Sequence, residues 1–166
     1  MNKQTLAIVG PLEPFAALDP FFRAIEKGLE GQADGGHFFD LLADDVVFEY
    51  VITVPGYPRR VEGRAAIADL YRPYGTMLVL DRCDLTGVHR DAAAGVVVLE
   101  YASQGRVVAS GRPYANRYVS VIALRERKVV HWRDYLDPVA VFEAVGWPRA
   151  VSEKHSFVTL ELDTKV

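Results

Sequence analysis

Residues 128–148 read KVVHWRDYLDPVAVFEAVGWP. The segment divides at Asp137-Pro138. Upstream, alternation puts Lys128, Val130, Trp132, Asp134 and Leu136 on one face of a strand. Downstream, VAVFEAV reads as a helix that stops at Gly146. Asp suits the N-cap and Pro the first helical position, so Asp137 has a structural role. Asp134, three residues earlier, has none. It shares its strand face with a tryptophan, a valine and a leucine. A carboxylate there is costly unless paired, and burial raises its pKa. Two accounts stand at this point: an ion pair with Arg106, Arg112 or Arg133, or a functional carboxylate.

Working outward, the chain before this segment holds helices first and strands later. Residues 1–17 read as an extended arm lying against the body or a partner. Asp19-Pro20 caps a first helix, FFRAIEKGLEG, with Phe21, Phe22, Ile25 and Leu29 on one stripe and Gly31 at its end. A short helix follows at HFFDLLA. DDVVFEYVITVP, closed by Pro55, reads as a strand. GYPRRVEG reads as a loop. RAAIADLYRPYG reads as a helix interrupted at Pro73, with Ile67, Leu70, Tyr71 and Tyr74 on one face. Long strands are expected at about 77–90, 94–104, 106–124 (with a break near Gly111) and 128–136. The turns between them fall at Asp91/Gly95, Gln104-Gly105 and RERK. This order predicts an α+β fold, with helices on one face of a curved, mostly antiparallel sheet that closes around a pocket. The domain is expected to span 18–148, with a tail at 149–166 whose SFVTLELD alternates weakly, as an extra strand or a swapped arm would.

The chain has 166 residues, half of them hydrophobic and a quarter charged, with a net charge of −3. That is the composition of one soluble domain without a basic stripe, so neither nucleic acid nor a membrane is an expected partner. The N-terminal apolar stretch is too short for a signal peptide, and a cytoplasmic location is expected. The single cysteine, Cys83, excludes an internal disulfide framework and reads as an apolar filler. HExxH, P-loop, Rossmann and GxSxG patterns are absent, so no metal or cofactor is expected. His37, His89, His131 and His155 show no ligand spacing. His37 and His155 read as surface residues, and His131 as an outer-face residue beside Arg133.

Along 113–124 the even face carries Tyr114, Asn116, Tyr118, Ser120, Ile122 and Leu124, polar-aromatic at first and then apolar. The odd face carries Ala115, Val119 and Val121. With Val96 and Val98 it forms an apolar outer surface that a second subunit would cover. Glu100 falls on that outer face in this register, where it is expected to form a salt bridge across a dimer interface.

The segment WRDYLDPVAVFEAVGWP, preceded by GRPYANRYVSVIAL, resembles the nuclear transport factor 2-like superfamily. Within it the likeness is to the SnoaL-like polyketide cyclases, the limonene-epoxide-hydrolase group and the phenazine-biosynthesis A/B proteins. The resemblance covers roughly residues 18–148. It implies a cone-shaped α+β barrel, a homodimer packed through the outer sheet face, and an acidic residue on the last long strand pointing into the cone. Asp134 matches that position. Epoxide hydrolases of the group add an Arg-x-Asp pair and a Tyr-x-Asn pair, which match Tyr101 and Ser103, and Val51 and Thr53, in this chain. Those water-holding residues are therefore missing, and epoxide hydrolysis ranks last. What remains is an isomerase, cyclase or condensation catalyst with Asp134 as the acid/base. Its substrate would be a small apolar or aromatic carbonyl compound. Tyr71, Tyr101, Ser103, Tyr114, Asn116, Tyr118 and Trp132 would line its site. The alternative is a non-catalytic binding or accessory module.

Overall fold

The computed structural model describes residues 1–147. The sequence reading of 149–166, including the SFVTLELD segment and His155, lies outside the described residues. The N-terminal segment is helical rather than extended. Helix α1 spans Lys3–Val9, with the Asn2 side chain accepting from Thr5 N at its start. A 3-10 helix spans Glu13–Leu18. Val9, Phe15 and Leu18 are buried in the core, so this arm belongs to the body.

The 3-10 helix runs straight into α2 (Asp19–Gly28). Asp19 is therefore the first helical residue and not the N-cap, and the helix ends at Gly28 rather than Gly31. Gly28 lets α2 lie close on the sheet, since a Cβ there would stand 2.7 Å from Leu99. The single turn α3 (Phe38–Leu41) follows. His37 is half-buried rather than a surface residue. Its ring packs on Phe22 and Phe39, its Nδ1 accepts from Phe39 N, and burial lowers its pKa.

Strand β1 (Leu42–Tyr50) begins and ends earlier than the alternation suggested. Residues 51–59 form a loop, which returns to the short strand β2 (Arg60–Glu62). Helices α4 (Arg64–Tyr71) and α5 (Tyr74–Met77) are separated by Pro73, as expected from a ring that cannot continue a helix. Strands β3 (Leu78–Asp91), β4 (Val96–Val107), β5 (Pro113–Arg125) and β6 (Lys128–Leu136) form an antiparallel meander. Helix α6 (Pro138–Val145) closes the described chain, and Asp137 Oδ1 accepts from Val139 N as its N-cap.

Gln104-Gly105 is not a turn. It lies inside β4, and the hairpin turns later, around Gly111. A Cβ at Gly105 would stand 2.1 Å from Val79 O, so the glycine answers a close backbone approach at a register shift in β3. RERK does turn as expected. Glu126 and Arg127 both have positive φ, the pattern of a two-residue hairpin loop.

The six strands form one mixed sheet in the order β2-β1-β6-β5-β4-β3. β1 runs parallel to β6 and places Tyr50 beside Asp134. Register shifts in β3 and near the end of β5 bend the sheet. Its inner face packs on the helices through Phe22, Ile25, Phe38, Phe48, Leu99, Ile122 and Trp132. Among the described residues no helix is long and apolar enough to cross a membrane.

Candidate functional site

The inner face continues past this core into a cavity of about 340 Å³. That lies toward the lower end of the roughly 300–1,000 Å³ common for small-molecule sites. Helix α2, the 51–59 loop, α4, α5, strands β3–β6 and α6 all contribute to its wall. Seven of the eight tyrosines in the chain line it: Tyr50, Tyr57, Tyr71, Tyr74, Tyr101, Tyr114 and Tyr118. Burial raises the pKa of each of them, so at neutral pH they stand as neutral phenols.

Asp134 is the carboxylate in this wall. Its side chain is 8% exposed. Three donors converge on one oxygen, Oδ1: Ser120 Oγ at 2.5 Å, Tyr101 OH at 3.2 Å and Trp132 Nε1 at 3.3 Å. Tyr101 OH also lies 2.9 Å from Ser120 Oγ, so its one proton is shared between Ser120 and the carboxylate. Among the described residues no hydrogen bond reaches Oδ2, and no arginine pairs with the group. Arg106 is engaged by Asp81 instead. Burial raises the Asp134 pKa from 3.8 to about 6, against the opposing pull of the Ser120, Trp132 and Tyr101 hydrogen bonds.

The structure divides the residues named from sequence. Asp134, Tyr71, Tyr101, Ser103, Tyr114 and Tyr118 line the cavity. Trp132 and Asn116 do not. Trp132 is 1% exposed and stacks on Phe48 at 5.0 Å, so it has no free face for a planar ligand. It acts on Asp134 through its indole N–H. Asn116 ties β5 to the start of α6. Its Nδ2 donates to Tyr114 OH and Asp137 O, and its Oδ1 accepts from Asp137 N. Val51 and Thr53 lie outside the cavity wall. The inward residues there are Tyr50 and Val54.

Sequence reasoning missed Ser120, the nearest donor to Asp134 and its neighbour across β5 and β6. It lay on the same even face as Tyr114 and Tyr118, so alternation contained the signal. Tyr50, Tyr57 and Tyr74 were missed as well. Tyr57 sits on an irregular loop, where periodicity says nothing about direction.

The tyrosine hydroxyls are organised in pairs. Tyr57 and Tyr74 meet at 2.6 Å, and Tyr114 and Tyr118 at 2.6 Å. Ser103 donates to Tyr118 OH while Asn116 donates to Tyr114 OH. In the second pair one proton bridges the two oxygens, which leaves the other O–H without an acceptor among the described residues.

On the outer face, Glu100 is exposed and lies 2.9 Å from His89 of the same chain. His131 meets Glu49 at 2.7 Å. Cys83 is half-buried, and its thiol is pushed up to about 12 by burial, with Asp84 adding to the effect.

Known proteins share this architecture. The uncharacterized protein YesE of Bacillus subtilis (strain 168) is 36% identical over 107 residues, covering 64% of this chain and 73% of its own. An uncharacterized PhzA/B-like protein, PA3332 of Pseudomonas aeruginosa, is 27% identical over 131 residues, covering 79% and 89%. A Bacillus subtilis crystal structure, provisionally described as an isomerase, superposes with a TM-score of 0.64 at 31% identity, covering 81% of this chain and 94% of that one. The SnoaL-like domain profile matches residues 20–132, ending two residues before Asp134. Sequence and fold thus agree, and this chain belongs to the SnoaL-like domain family.

Proposed function

We propose that the cavity carries out proton transfer on a small, largely apolar carbonyl compound, as an isomerase, cyclase or condensation catalyst would. The observation that carries this reading is the asymmetry of Asp134. Oδ1 is held by three donors, and Oδ2 has no partner among the described residues. A base held this way needs little reorganisation before it acts. Oδ2 removes a proton from the carbon next to the carbonyl: the C–H bond breaks, an O–H bond forms on Asp134, and charge moves to the carbonyl oxygen. The unshared hydroxyl of the Tyr114–Tyr118 pair is a ready donor for that oxygen. Returning the proton at another carbon completes an isomerisation. A pKa of about 6 suits both halves of this cycle at neutral pH.

The test is deuterium exchange into a panel of simple cyclic ketones, followed by NMR. Asp134→Asn is expected to lower the rate by roughly 10²- to 10⁴-fold. The wild-type rate is expected to rise as pH passes upward through about 6, where the carboxylate ionises. Exchange that continues unchanged in Asp134→Asn would falsify the reading. One observation favours a binding module instead: the Tyr57 and Tyr74 hydroxyls are already hydrogen-bonded to each other without a ligand. In that case ligands bind without exchange, and affinity stays flat across the same pH range.

A second copy of the chain is the proposed cover for the outer sheet face, where Val119 is 37% exposed among half-buried valines. Light scattering should give twice the chain mass. Val119→Lys should shift the molecule toward monomer, and a wild-type monomer would refute the proposal.

A further inference from the structure

The cavity has an unusual charge inventory. Of the described residues that line it, Asp134 alone carries a charge at neutral pH, and among the described residues no lysine, arginine or histidine faces it. Burial keeps the surrounding phenols neutral. Among the described residues the wall therefore holds one negative charge without a counter-charge. A buried carboxylate in that condition lacks the opposite charge that would stabilise it.

Phe21 and seven tyrosines stand in the wall among aliphatic side chains; Tyr101 and Tyr118 stack at 10°, and several of the other rings meet at steep angles. Tyr50 and Tyr57 meet at 4.9 Å and 81°, Tyr71 and Tyr74 at 5.8 Å and 76°, and Phe21 and Tyr71 at 6.2 Å and 84°. In each edge-to-face pair, the ring that offers its edge keeps both of its own faces clear of that contact. Aromatic faces attract cations, and the attraction grows where water is excluded.

From these two features together we infer that the cavity selects for a weakly hydrated cation, a tertiary or quaternary ammonium group on an apolar body. Asp134 supplies the counter-charge and the phenol rings supply the cage. A primary ammonium is less suited, because its strong hydration must be stripped on entry and Asp134 is the one carboxylate among the described wall residues. An anion is excluded, because it would bring a second negative charge beside the first. The inference rests on the assignment of this cavity as the ligand site, and not on proton transfer there.

Three compounds of nearly one shape test it: choline, its uncharged carbon isostere 3,3-dimethyl-1-butanol, and the anion 3,3-dimethylbutanoate. Calorimetry on the wild-type chain at pH 7.5 and constant ionic strength should show choline binding at least tenfold tighter than the alcohol, with the carboxylate weakest. In Asp134→Asn, choline and the alcohol should come within about twofold of each other. The inference is overturned if the alcohol matches choline in the wild type, or if the preference survives in Asp134→Asn. Binding of the alcohol without a preference for choline removes this inference and leaves the proton-transfer reading standing. If none of the three binds, the cavity does not select an ammonium group and the inference falls. Ketone exchange then decides separately whether proton transfer survives.

Discussion

Asp40 and Asp134 are both buried carboxylates, 2% and 8% exposed, and burial pushes the pKa of each upward. They end on opposite sides of the ordinary value. At Asp40, burial is outweighed by hydrogen bonds from Thr5, from the Asn2 N–H and from Gly36, together with the N-terminal amine, and its pKa is lowered. Both of its oxygens are served. Asn2 N donates to Oδ1 at 3.2 Å, Gly36 N donates to Oδ2 at 3.2 Å, and the amine lies 3.5 Å from Oδ2. At Asp134 all three donors crowd onto Oδ1, none of them charged, and burial wins. The difference lies in how donors are distributed and charged, and not in burial. A carboxylate that fastens the fold has both oxygens engaged, and one available for chemistry keeps an oxygen free.

Opposite shifts predict opposite effects of the same substitution. Asp40→Asn should destabilise the fold by about 3 kcal/mol at pH 7, because donors to both oxygens lose their charged acceptor. A lowered pKa contributes stability above the unfolded value, and that contribution fades as pH falls through the folded value. The deficit of the variant should therefore shrink in acid. Asp134→Asn should do the reverse. A pKa raised from 3.8 to about 6 means the folded chain holds the proton more tightly, so stability falls as pH rises through that window. The full linkage is about 3 kcal/mol at pH 7, at 1.36 kcal/mol per pKa unit. An asparagine amide facing the cavity offsets part of it, so a gain of about 1–2 kcal/mol is expected at pH 7 and none at pH 4. Urea unfolding at both pH values checks the pair. If both variants lose the same stability at pH 7, the two sites do not differ as described.

Much of this contrast was legible in the sequence on the Asp134 side and little on the Asp40 side. Strand alternation places Trp132 and Asp134 on one inner face without any knowledge of the fold, and Pro138 explains Asp137 locally. The order of helices and strands was readable because each long strand carries a strong period-two signal. Asp40 escaped notice because, apart from Gly36, its partners come from the N-terminal segment, Asn2 lying 38 residues away, whose helical content is masked by two prolines and a glycine. Trp132 was read as a ligand platform because a pattern shows which face a ring is on, but not that Phe48 already covers it. Ser120 passed unnoticed because a small hydroxyl gains importance only from its distance to Oδ1. Gly105 shows the same limit, since a turn and a close strand approach both call for glycine.

The smallest expected effect is also the sharpest probe of the asymmetry. Donors to the charged form lower a carboxyl pKa, so removing one from Oδ1 should raise the value at Asp134 above about 6. Ser120 at 2.5 Å is the shorter, stronger bond, and Tyr101 at 3.2 Å must share its proton with Ser120. Ser120→Ala should therefore raise the pKa by about one unit, and Tyr101→Phe by a few tenths. Part of the serine effect will be recovered, because the freed Tyr101 proton turns fully onto Oδ1. A titration of the Asp134 carboxyl carbon by NMR reads both shifts directly. Equal shifts would mean the two donors act as one unit through the Tyr101–Ser120 contact. No shift in either variant would mean that desolvation alone sets the value. The free Oδ2 would then follow from burial and say nothing about how the base is held.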